Sequence, residues 1–151
     1  MDTTDRTILS LLAADSRRGL ADIGAHVGLS PSAVNERVRR LVAGGAIRRF
    51  TVDADPAALG HGVLAFVSVG LADDADEERF RHAMATDASV EECHHVTGRW
   101  SYLVKVRAGT LAGVEAFLAR LKAEHFIGRS ETVIALSSAV EAAHVPKDPS
   151  G

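Results

Sequence analysis

Hydrophobic positions in the first third of the chain recur at the spacing of short helices. Ile8, Leu11 and Leu12 form one stripe behind Asp2, a residue type that caps helix starts. Leu20, Ile23 and Val27 form a second stripe, and Val34, Val38 and Leu41 a third, at i, i+4 and i+7. Between the second and third, Gly28 offers a left-handed turn, Ser30 an N-cap, and Pro31 a first helical residue whose missing N–H costs nothing. Gly24 lies inside the second stripe, where glycine costs about 1 kcal/mol relative to alanine, so a close backbone approach is expected there. The third helix runs from Pro31 to about Ala43 and stops at Gly44-Gly45. Residues 46–52 alternate weakly and carry β-branched side chains, which predicts a strand.

After residue 52 the period changes. DADPAALGHG (53–62) reads as a linker of Pro, Gly and small residues. Val63 to Leu71 is an apolar strand, and Asp73 to Ala85 a helix whose acidic first turn suits the helix dipole. Val90 to Thr97 and Tyr102 to Val106 are strands separated by a turn at Gly98. Thr110 to Ala123 is a helix striped by Leu111, Val114, Phe117, Leu118 and Leu121. A last strand covers 132–137, with room to extend back to 128 and on to 140.

The pattern predicts an α+β chain. A winged helix-turn-helix domain (1–52) and a linker (53–62) precede a ferredoxin-like β-α-β-β-α-β domain (63–143) and a mobile tail (144–151). Helices on one sheet face leave the other in need of a partner. Ala65, Val67, Val104 and Val106 are read as the apolar residues of that open face, predicting a dimer or larger oligomer.

Charge separates the two halves. The chain is −3 overall, but residues 1–50 hold eight basic side chains against five acidic ones, and 51–151 hold nine against fifteen. A +3 segment joined to a −6 segment points to a polyanion partner for the first and another task for the second. No apolar run approaches the roughly 20 residues that span a bilayer. One cysteine, Cys93, rules out an internal disulfide, and the cytoplasm is the expected compartment.

The third helix carries the candidate chemistry. Opposite Val34, Val38 and Leu41 lie Ser32, Ala33, Glu36, Arg39 and Arg40, flanked by Asn35 and Arg37. This division suits a recognition helix, apolar toward its own domain and polar toward a major groove. Arg37 and Arg40 have the reach for guanine or phosphate; Asn35 and Glu36 suit adenine or cytosine. Ser30 joins the candidate set at the helix start, and a solvated surface helix is the plain alternative.

LSPSAVNERVRRLVAGGAIRRF, with the opening DTTDRTILSLL, closely resembles the Lrp/AsnC (feast/famine) family of transcription regulators. The resemblance continues through VEECHHVTGRWSYLVKV and SETVIAL and so covers nearly the whole chain. It implies DNA contacts from Ser32, Ala33, Glu36, Arg37 and Arg40, and phosphate contacts from Arg17 or Arg18. It further implies double-stranded DNA with a pseudo-palindromic operator, dimers that assemble to octamers, and a small effector, usually an amino acid. The effector residues it implies are Gly98, Arg99, Trp100, Ser101, Tyr102, Ser130 and Thr132. Two departures stand out. Ser101 occupies a position where the family commonly has aspartate, removing a full charge suited to an ammonium group, and Phe126 replaces a glycine and is expected to narrow the pocket.

Other chemistry is weak. Cys93-His94-His95 invites a metal reading, but alternate strand residues point oppositely, so only Cys93 and His95 share a side, too few for zinc. No catalytic motif stands out, and no metal, cofactor or enzymatic role is expected. Two alternatives to an effector-responsive regulator are a DNA-binding oligomer without ligand response and, from another class, a metal-binding or enzymatic ferredoxin-like protein.

Overall fold

The computed structural model describes residues 1–145, which fall into two compact units, Met1–Thr51 and the chain from Val52 onward. In the first, α1 (Thr3–Ala14), α2 (Leu20–Val27) and α3 (Pro31–Ala43) close around Ile8, Ile23, Val34 and Leu41. Asp2 caps α1 in a reciprocal box: its carboxylate accepts the Asp5 N–H at 2.8 Å, and the Asp5 carboxylate accepts the Asp2 N–H at 3.1 Å. Gly28 ends α2 at φ 69°, and the Ser30 hydroxyl accepts the Ala33 N–H at the start of α3. The expected close approach is at Gly24, where an added Cβ would lie 2.4 Å from the Leu29 carbonyl oxygen.

The strand expected over 46–52 does not form. Ile47 instead donates its N–H to the Leu41 carbonyl at 3.0 Å and packs on the helical core, so its backbone closes α3 rather than starting a ladder. Residues 48–52 continue without strand structure. A weak alternation without a neighbouring strand does not make a sheet.

The second unit is a four-stranded antiparallel sheet in the order β2-β3-β1-β4, from β1 (Val63–Leu71), β2 (Val90–His95), β3 (Tyr102–Ala108) and β4 (Ile127–Ile134). Helices α4 (Glu77–Thr86) and α5 (Leu111–Ala123) cover one face. The helix expected from Asp73 begins later because the Asp76 carboxylate takes the Arg79 N–H and caps it there. Thr110 is the cap of α5, which leaves the first stripe residue, Leu111, 62% exposed. β2 ends at His95 before the expected Thr97, and β3 runs on to Ala108. β4 starts at Ile127 and ends at Ile134, earlier at both ends than the core of the expected strand.

The faces are reversed relative to expectation. Ala65, Val67, Val104 and Val106 are fully buried beneath the helices with Phe80, Met84, Val114 and Phe117. The uncovered face carries Phe66, Leu103 and Val133 instead. Alternation tells which residues share a face but not which face the helices choose. Phe126, expected to narrow a pocket, is a core residue 2% exposed, its ring 5.6 Å from that of Phe80.

The segment read as linker belongs with this second unit. Ala54 donates its N–H to the His144 carbonyl at 2.9 Å, and His144 donates its N–H to the Asp53 carboxylate at 2.8 Å. His144 is 7% exposed and its ring nitrogen Nδ1 meets Glu91. The tail expected from 144 is therefore docked at its first residue; residues 146–151 of that expectation lie outside the described chain.

Candidate nucleic-acid interface and ligand loop

The turn built by Gly24, Gly28 and Ser30 fixes which side of α3 meets solvent. Val34 and Leu41 are buried, whereas Ser30, Ser32, Glu36, Arg39 and Arg40 are exposed and Ala33, Asn35 and Arg37 are half-buried. Small residues thus stand at the helix start, with long cationic ones one to two turns on.

The arginines differ in what already holds them. The Arg37 Nη1 donates to Asp2 and to Asp5, each at 2.7 Å. Hydrogen bonds from the Asp5 N–H and from Arg37 hold the Asp2 carboxyl below its ordinary value, and Arg37 does the same for Asp5. Arg18 pairs with Asp22 and lowers that carboxyl, and its Nη2 lies 3.4 Å from His26. Arg17, Arg39 and Arg40 make no ion pair among the described residues, and neither do Arg48 and Arg49 beyond α3. That last pair was absent from the expected site. Their signal was only the charge count, because the expected strand gave them no special place.

The ligand loop is assembled differently. Gly98 turns at φ 104°. The Ser101 N–H donates to the Val69 carbonyl at 2.8 Å, and its hydroxyl accepts the Leu71 N–H at 3.3 Å, so this side chain fastens the loop to β1. Two guanidiniums lie over the Trp100 ring, Arg99 at 5.0 Å and Arg129 at 5.1 Å from its centroid. Arg99 pairs with Glu131 at 2.7 Å, and Arg129 crosses Gly70 to donate to the Arg99 carbonyl. Any Cβ at Gly70 would meet the Arg129 side chain at 2.7 Å.

These residues do not form one pocket. Ser130, Val69, Tyr102 and His95 lie in one row across the helix-covered face, with Thr132 beside Val67 on the same side. Arg129 and Glu131 share the register of Gly70 and Ser68 on the uncovered face. Tyr102 is 2% exposed, donates its hydroxyl to Glu77 at 2.6 Å and accepts from Arg81 at 2.8 Å. Burial and the Glu77 carboxylate raise its pKa, so the phenol stays a donor. Arg129 and Glu131 were missed because only the β1–β4 register brings them to Trp100 and Arg99.

An open cleft of about 620 Å³ lies between α4 and β2, lined by Arg81, Met84, Cys93, His95 and Tyr102 among others. Burial raises the Cys93 thiol. Among the described residues, no three His, Cys, Asp or Glu side chains are grouped to hold a metal ion.

Comparison with known proteins agrees with this two-unit organisation. Residues 1–42 match the model of the AsnC-type helix-turn-helix domain, and residues 64–145 that of the Lrp/AsnC ligand binding domain. The HTH-type transcriptional regulator LrpA of Mycobacterium tuberculosis is 31% identical over 97% of this chain and 97% of its own. The Leucine-responsive regulatory protein of Klebsiella pneumoniae is 35% identical over 78% of this chain and 73% of its own. The crystal structure of an AsnC family transcriptional regulator from Agrobacterium tumefaciens superposes with a TM-score of 0.87 at 30% identity, covering 97% of each chain.

Proposed function

The chain belongs to the Lrp/AsnC family of helix-turn-helix transcription regulators, and from that premise we propose how its own residues divide the work. The outer side of α3 enters a major groove. Ser30, Ser32, Ala33, Asn35 and Glu36 approach base edges, and Arg39 and Arg40 reach bases or phosphates. Arg17 and Arg18 in the turn before α2, with Arg48 and Arg49, supply phosphate contacts. The observation that carries this reading is that Arg39 and Arg40, on an exposed helix face, make no ion pair among the described residues, in a +3 segment of an acidic protein.

The second unit binds a small effector and holds copies of the chain together. Phe66, Leu103 and Val133 on the uncovered sheet face, with Leu136 and Val140 almost wholly exposed, suit a second copy of the same surface. A dimer, assembling further to an octamer, would read a pseudo-palindromic operator in the cytoplasm. An amino-acid-like effector is supported by the leucine-responsive relative, and the loop around Gly98–Tyr102 with Ser130 and Thr132 is its proposed site. Tyr102, Ser130 and Thr132 share the helix-covered side of the sheet, whereas Arg129 and Glu131, which contact Trp100 and Arg99, lie on the uncovered side.

The test is selection of duplexes from a random pool, followed by gel shift of the enriched duplex with and without each common amino acid. Enrichment of a two-fold sequence and a shift altered by one amino acid is the expected result. Enrichment without any ligand response leaves a DNA-binding oligomer, and no enrichment refutes the regulator reading of these residues.

A further inference from the structure

Arg37 stands apart from the other arginines of α3. It sits at the border between the buried stripe of Val34, Val38 and Leu41 and the exposed face, and its side chain is only 24% exposed. Both contacts of its Nη1 go to α1: to Asp2, the cap, and to Asp5, the third residue of the first turn. The two bonds span 35 and 32 residues of sequence, so they fix the N-terminus of α1 against the middle of α3. Elsewhere in this unit, α1 and α3 meet through apolar contact in the cluster of Ile8, Val34 and Leu41, which resists separation but sets rotation weakly. Charge-assisted hydrogen bonds are directional and fix rotation well.

Turning Arg37 to a DNA phosphate would leave the Asp2 and Asp5 carboxylates beside each other without their shared cation, and next to a polyanion. That exchange is unfavourable on both sides, whereas Arg39 and Arg40, which make no ion pair among the described residues, give up none there on meeting DNA. We infer that Arg37 is a positioning residue rather than a base contact: braced by Asp2 and Asp5, it sets the angle at which α3 presents Ser32, Glu36, Arg39 and Arg40. The inference rests on the DNA-reading assignment of α3 given above.

The experiment compares Arg37→Ala, the pair Asp2→Asn with Asp5→Asn, and the combination of all three, in the full chain. Asparagine caps a helix as well as aspartate does, so the paired change keeps the capping box and removes only the charge that holds Arg37. Each protein is corrected for active fraction, and affinity is measured for the enriched duplex and for a scrambled one across a salt series. Positioning predicts that Arg37→Ala and the Asp pair each weaken binding to the enriched duplex by about three- to tenfold. The combined variant is no weaker than the worse parent, and the salt slope is unchanged. The ratio of enriched to scrambled affinity falls, which a mere loss of folded protein would not produce. A direct DNA contact predicts the opposite sign for the Asp pair. Neutralising two acids and freeing Arg37 would tighten binding, and Arg37→Ala would lower the salt slope by about 1. Either of those results overturns the positioning role. Failure of the wild-type chain to prefer any duplex overturns the DNA-reading assignment itself, and the positioning role with it.

Discussion

Helix α3 offers Ser32, Glu36, Arg39 and Arg40 from one short continuous stretch, whereas the ligand loop draws Trp100, Ser101, Arg129 and Glu131 from a turn and from a distant strand. The helix surface comes from one stretch of chain; the proposed ligand residues are spread over the Gly98 turn and the strands beside it. A helix encodes its face in local spacing, so a reading head can be built from few residues. A sheet site depends on which strands become neighbours and in what register. The two regions therefore fail in different ways when perturbed.

The largest effect is expected in the sensor core. Phe117→Ala removes a ring 1% exposed beneath the sheet and should destabilise that unit by about 3–5 kcal/mol in urea unfolding. A cost below about 1 kcal/mol would mean the helix-covered face is not the packed one. In the first unit the sensitive point is backbone, not side chain. Gly24→Ala places a methyl 2.4 Å from the Leu29 carbonyl oxygen, forcing apart the turn that aims α3. It should cost about 1–3 kcal/mol by thermal unfolding and abolish binding to the enriched duplex. Normal DNA affinity in that variant would show that the α2–α3 angle does not matter for reading.

Ser101→Asp sharpens the comparison at the ligand loop. A carboxylate can still accept the Leu71 N–H and adds a charge for an ammonium group. Calorimetry with common amino acids should show tighter binding by about 1 kcal/mol. Unchanged affinities would remove Ser101 from the effector site. A smaller effect concerns acid. The Asp2 and Asp5 carboxyls titrate below their ordinary 3.8 in the folded chain, chiefly through the N–H of Asp5 and through Arg37. Their contribution to stability is full above that ordinary value and is lost as pH falls through the lowered folded values. Arg37→Ala should raise both titrations, read by carboxyl NMR; unmoved midpoints would mean the pairing is not formed in solution.

Much of this was legible in the residues, and the misses have a common cause. Asp2, Gly28, Ser30 and Pro31 act within a few positions of themselves, so the three helices follow directly from their spacing. The Asp76 and Thr110 caps also act locally, but the expected helices were begun at Asp73, where a run of acids starts, and at Thr110 itself. Residues 46–52 look strand-like, but no local signal says whether a partner strand exists. Ala65 and Val67 were assigned to the wrong face because alternation is symmetric until helices choose a side. Arg129 reaches Trp100, and Glu131 reaches Arg99, only through the β1–β4 pairing, and Arg37 is bound by acids over thirty residues away.

In this reading an acidic chain meets DNA through Arg39 and Arg40, the α3 arginines without an ion pair among the described residues. Its most direct test is the salt dependence of binding to the enriched duplex for the wild-type chain and for Arg39→Ala with Arg40→Ala. The account predicts a steep fall of affinity with salt in the wild type, and a slope smaller by about 1 for each arginine that met a phosphate. Where an arginine read a base, the loss is about 1–3 kcal/mol with relaxed sequence preference. A double variant with the same slope, affinity and preference as the wild type would contradict it.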